Sequence, residues 1–122
     1  MQITREEGSA PNAITGYAAG EIRMQDRVFR SSLIATRNTL IEDWSPPVVE
    51  RLAIDDFAGL LELSPEVVIL GTGAKQRMPP TELFAAFASR GIGLEVMDTG
   101  AACRTYNLLL SEFREVAVAL II

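Results

Sequence analysis

Val67-Val68-Ile69-Leu70-Gly71-Thr72-Gly73-Ala74-Lys75-Gln76-Arg77-Met78-Pro79-Pro80 is an apolar strand that runs out into a glycine loop. The arrangement recurs at Leu94-Glu95-Val96-Met97, which hands over to Asp98-Thr99-Gly100-Ala101-Ala102-Cys103. Each loop leads into a segment with helical apolar spacing. Val67–Leu70 is apolar throughout, the pattern of a strand covered on both faces. In an open α/β sheet, ligands bind in the crevice outside the carboxyl ends of the strands. A site is therefore expected between the Gly71–Pro80 and Asp98–Cys103 loops, with the two strands neighbouring or near-neighbouring in one sheet.

Outward from this stretch the chain continues to alternate. Leu83, Phe84 and Phe87 predict a helix over Thr81–Ser89, closed by Arg90-Gly91. A second helix is predicted from Ala101 to about Phe113, with Leu108, Leu109 and Phe113 apolar, and a terminal strand over Val116–Ile122. Upstream, Asp55 and Asp56 suit a helix N-terminus, and Phe57, Leu60, Leu61 and Leu63 supply its stripe before Ser64-Pro65 stops it.

The first third reads differently. Ile14–Tyr17, Glu21–Met24, Val28–Arg30, Ser32–Ala35 and Leu40–Ile41 are short extended runs, with turn signals at Gln25-Asp26-Arg27 and over residues 36–39. They predict an antiparallel meander that ends at Trp44-Ser45-Pro46-Pro47, since prolines cannot donate to a ladder. The expectation is one α/β domain over residues 13–122, a mixed sheet with helices packed on it, preceded by a polar lead-in over residues 1–12.

Composition narrows the chemistry. The chain has 122 residues, 48% hydrophobic and 22% charged, with a net charge of −5. It is long enough to bury roughly 65–70% of its unfolded surface without metals or disulfides. The acidic balance argues against nucleic acid as a partner. No apolar run reaches the ~20 residues of a membrane span. The single cysteine, Cys103, agrees with a reducing compartment. With acids among the first residues, this predicts a cytoplasmic protein. Histidine is absent, which removes the commonest general base and metal ligand. A cysteine-rich zinc site is excluded by the lone cysteine. No metal, no cofactor and no catalytic residue are assigned.

The motifs carry less than they first suggest. Gly71-Thr72-Gly73 follows a strand, but the third glycine of a dinucleotide fingerprint would fall at Gln76. No Gly-x-x-x-x-Gly-Lys phosphate loop exists. What remains is a glycine loop beside Lys75 and Arg77, readable as an anion nest or as a plain turn out of a buried strand. Asp98 or Thr99 can cap the following helix. Cys103 in its first turns, next to Arg104, has one feature of a reactive thiol, but without histidine to act as base a small buried apolar cysteine is the better reading. The candidate ligand-binding set is Gly71, Thr72, Gly73, Lys75, Gln76 and Arg77 from one loop, with Asp98, Thr99, Cys103, Arg104 and Asn107 from the other and its helix.

Val68-Ile69-Leu70-Gly71-Thr72-Gly73, Gln76-Arg77-Met78-Pro79-Pro80, Met97-Asp98-Thr99, Thr105-Tyr106-Asn107 and Arg114 with Val116-Ala117 together carry a resemblance. From about Ile14 onward the chain resembles a domain-of-unknown-function family whose eukaryotic members include mitochondrial complex I assembly factor 3. The resemblance implies a three-layer domain with a mixed central sheet and flanking helices. It implies no enzyme activity, cofactor or catalytic residue. Two functions of different class follow. One is a noncatalytic binding or assembly module acting through protein contacts. The other is a small anionic-ligand site, or an enzyme, in the crevice between the two loops.

Overall fold

The computed structural model describes residues 10–122; most of the lead-in, residues 1–9, lies outside the described residues. In chain order the elements are β1 (Gly16–Ala18), β2 (Glu21–Met24), β3 (Arg27–Phe29), β4 (Leu33–Ala35), β5 (Leu40–Ile41), 3-10 turns at Val49–Arg51 and Ile54–Phe57, α1 (Ala58–Leu61), β6 (Val67–Gly71), α2 (Thr81–Ala88), β7 (Gly93–Met97), α3 (Thr99–Ser111) and β8 (Val116–Leu120). β1, β2 and β3 form a three-stranded antiparallel sheet, and a five-stranded sheet runs in the order β5-β4-β8-β6-β7. β6 is parallel to both β7 and β8, and β4 and β5 extend the sheet antiparallel. The two strands that define the candidate crevice pair from Val67↔Gly93 to Gly71↔Met97, as expected.

The period of two assigns the large sheet's side chains to two cores. Val68, Leu70, Ile34, Ala117 and Ala119 face Phe57, Leu60, Leu83 and Phe87. Ile69, Leu33, Val116, Val118 and Leu120 face Ala102, Cys103, Tyr106 and Leu110 of α3, together with Ile22, Met24 and Phe29 of the small sheet. One layer is therefore α1 and α2, the next is the sheet, and the third is α3 beside the small sheet. On the α1–α2 side Trp44 donates its indole N–H to the Asp56 carbonyl at 2.8 Å. Its ring lies 5.4 Å from Phe57, which meets Phe87 edge-on at 5.2 Å.

The architecture matches the α/β expectation; beyond element ends that shift by a residue or two, three details differ from it. The meander does not run on through five strands: it breaks after β3, and β4 and β5 join the large sheet. The physical cause is burial. β2 alternates between buried and intermediate or exposed positions and can cover only one face, whereas Leu33-Ile34-Ala35 is buried at every position and needs cover on both. At Asp55-Asp56 the chain first tightens into the 3-10 turn, so the acid that reaches the leading amide is Asp56, which accepts from Ala53 N–H at 2.8 Å. α3 stops at Ser111 rather than Phe113, because Phe113 takes a left-handed conformation (φ 59). Arg114 N–H then closes back on Leu109 O at 3.0 Å. At the end of the lead-in, Asn12 is buried, and donates to Thr36 O at 2.8 Å and Thr39 O at 3.0 Å.

Candidate functional site

Gly71 ends β6 where α3 begins, and its missing side chain is a packing requirement. A Cβ there would lie 3.0 Å from Ala102 Cβ, Leu120 Cδ2 and Thr99 Cα. The glycine lets the first turn of α3 rest directly on the sheet. Gly73 has a different reason, a φ of +102 that L side chains rarely adopt.

Two threonines take up the polar groups at the strand ends, beside a mostly apolar hollow of ≈ 170 Å³ lined by Tyr17, Gly73, Ala74 and Thr99. Thr72, 4% exposed, donates N–H to Met97 O at 2.9 Å. Its hydroxyl donates to Lys75 O at 2.6 Å and accepts from Arg77 N–H at 3.0 Å. Thr99, 1% exposed, accepts from Gly73 N–H at 2.7 Å and donates to Ile121 O at 2.8 Å. Thr99 N–H donates to Gly73 O, and Ile121 N–H to Gly71 O, both at 2.9 Å. The Thr72 and Gly73 amides, expected to be open to an anion, are thus consumed inside the protein.

The charged end of the first loop is also engaged. Arg77 makes a two-pronged pair with Glu50, Nε to Oε2 at 3.0 Å and Nη2 to Oε1 at 2.7 Å. Both groups are about half exposed, so the pair contributes modestly. The Glu50 carboxyl is held below its ordinary range, first by its own backbone amide and then by Arg77. Gln76 donates its side-chain N–H to Val96 O on the free edge of β7 at 2.9 Å. Lys75 is exposed, with no ion pair among the described residues.

On α3 the candidates divide. Asp98 caps the helix, its Oδ1 accepting from Ala101 N–H at 2.9 Å. Asn107 reaches away from the loops and clasps Ile14, accepting from its N–H at 2.9 Å and donating to its C=O at 2.7 Å. Cys103 is buried, and desolvation pushes its thiol up to about 12, partly offset by the charge of Arg104. That is opposite to the depression a helix N-terminus can supply. The structure thus brings Gly71, Thr72, Gly73, Asp98 and Thr99 together. It leaves Cys103, Arg104 and Asn107 along a separate hollow of ≈ 240 Å³ bounded by residues 14–17.

Two consequences for Cys103 are measurable. A thiol reagent at neutral pH should label the native protein only as fast as it unfolds, while the unfolded chain reacts at once. Because the folded thiol titrates above the unfolded one, the stabilisation is complete below about pH 9 and is lost as pH rises from there towards 12. Cys103→Ser should flatten that fall and cost about 1 kcal/mol in packing. Fast native labelling would contradict the burial.

Tyr17 was not among the candidates, although its ring covers the first turn of α3. A Cβ on Gly100 would be 3.1 Å from Tyr17 Cε2. The one sequence signal was that glycine, set inside a helical turn where only close approach explains it.

A family model described as protein of unknown function (DUF498/DUF598) matches residues 14–121. NADH dehydrogenase (ubiquinone) 1 alpha subcomplex assembly factor 3 of Danio rerio is 48% identical over 99% of this chain and 70% of its own length. A Francisella tularensis protein called 13 kDa major membrane protein is 28% identical over 99% of both chains. The NMR structure of a Xanthomonas campestris protein superimposes with a TM-score of 0.79 at 36% identity, covering 100% of this chain and 92% of that one. Among the described residues no helix is long and apolar enough to cross a membrane.

Proposed function

The chain belongs to the DUF498/DUF598 family of unknown function, and from that premise we propose that it is a noncatalytic binding module that acts through protein contacts. The satisfied polar groups of the crevice support this: Thr99 stands between the β6 and β7 loops, where an α/β enzyme holds its ligand, and its hydroxyl both accepts and donates within the protein. The assembly-factor name carried by the Danio rerio relative points to the same class of role, holding another protein during the construction of a complex. Exposed apolar side chains such as Val48, Met78 and Leu108 offer contact surface.

Affinity capture of the tagged chain from its native cells, followed by titration with the purified candidate, tests the proposal. A defined protein partner with saturable binding is expected. In parallel, phosphate and sulfate should give no rise in Tm that Lys75→Ala with Arg77→Ala removes. Such a rise would overturn the proposal in favour of an anionic-ligand site between the Gly71–Pro80 and Asp98–Cys103 loops.

A further inference from the structure

Among the described residues, the small sheet leaves one residue's backbone unused beside α3. β2 and β3 join through the two-residue turn Gln25-Asp26, both residues at φ 58, with Met24 opposite Arg27. Such a turn sets its flanking pair in mutual hydrogen bonds, and alternation then aims Ile22 at β3 and Glu21 and Arg23 at β1. Gly16 and Ala18 answer Arg23 and Glu21. Tyr17, opposite Ile22, is left with its N–H and C=O on the outer edge of β1. Among the described residues nothing outside the sheet bonds to them.

Ile14 shows what this edge accepts. Thr15 N–H also turns to Arg23 O, a bulge that keeps Ile14 on the same outer edge as Tyr17. The Asn107 side chain fills that position as a partner strand would. Beyond Asn107 the edge and α3 part to leave the ≈ 240 Å³ hollow, lined by Gly16, Tyr17, Gly100, Cys103 and Arg104. Among the described residues Arg104 stands at it without an acidic partner. Arg23, Arg27, Arg30, Arg77 and Arg114 each meet a glutamate, whereas Arg104, like Arg51 and Arg90, makes no ion pair among the described residues.

We propose that this hollow takes a carboxylate side chain from a protein partner, held by the Arg104 guanidinium and the Tyr17 N–H. The inference rests on the protein-contact function above and names the chemistry of the partner's anchor. Arg104 decides acid over amide, because a cation beside an amide donor favours an anionic acceptor. The hollow has room for one such side chain and, with α3 alongside, not for an added strand.

The test is an NMR titration of the full isotope-labelled chain with two neutral-backbone probes, N-acetylglutamate methylamide and its glutamine counterpart. The acid should shift the Tyr17, Gly100 and Arg104 amides and the Arg104 side-chain N–H saturably in the millimolar range. The glutamine probe and the Arg104→Gln variant should each weaken binding at least about tenfold. Lys75→Ala with Arg77→Ala should leave it unchanged. Equal response to both probes, persistence in Arg104→Gln, or no response overturns the proposal. With the captured partner, Arg104→Gln should cost a comparable factor. An unchanged partner affinity would remove this anchor and leave the protein-contact function standing.

Discussion

Gly71→Ala should lose about 3 kcal/mol of stability, a Tm lower by roughly 10 °C in a domain of this size. The new methyl would meet three atoms at 3.0 Å, one of them the Thr99 Cα, which cannot swing aside like the end of a flexible chain. Relief requires α3 to lift from β6, and the first turn of that helix carries the Thr99 bonds to Gly73 and Ile121. Gly91 is the control: its φ is +74 but a Cβ there meets nothing within 4 Å. Gly91→Ala should cost only the backbone strain, about 1 kcal/mol. Urea unfolding of both variants separates close packing from conformational freedom. A neutral Gly71→Ala would mean that α3 does not rest directly on β6.

Thr99→Val should be of similar size, about 3 kcal/mol, with no change of shape. Valine matches the volume but neither accepts from Gly73 N–H nor donates to Ile121 O, and an orphaned buried polar group costs about 1–3 kcal/mol. Thr99→Ser keeps both bonds and gives up one methyl, about 1 kcal/mol. Hydrogen exchange at Gly73 should accelerate in the valine variant and stay slow in the serine one. Similar stabilities for the two would show that the hydroxyl is not what closes the crevice.

These two residues also mark how far the sequence could be read. Val67–Leu70 announced a doubly covered strand by apolar continuity, and the spacing of Leu83 and Phe87 announced a helix that packs on it. Both are local patterns, since side-chain period follows directly from backbone geometry. Asp98 as the cap of α3 was legible for the same reason: a cap bonds to an amide three residues on. Leu33-Ile34-Ala35 could have been separated from the meander by its lack of alternation.

The crevice was legible only as a place. Whether it stood open depended on pairs far apart in the chain, Thr99 with Gly73 and Ile121, and Tyr17 with Gly100. A free glycine-loop amide and a consumed one are written with the same letters. Arg77 and Arg104 look alike in the sequence, yet among the described residues only Arg77 finds a glutamate. Asn107 reads in sequence as well as a ligand contact, and became the partner of Ile14 because the small sheet comes to rest against α3. The sequence by itself determined the principal helices and strands, the two-sided sheet and the absence of histidine chemistry. Tertiary structure alone decided which polar groups were used up and which remained free, because hydrogen-bond satisfaction is a property of neighbours in space.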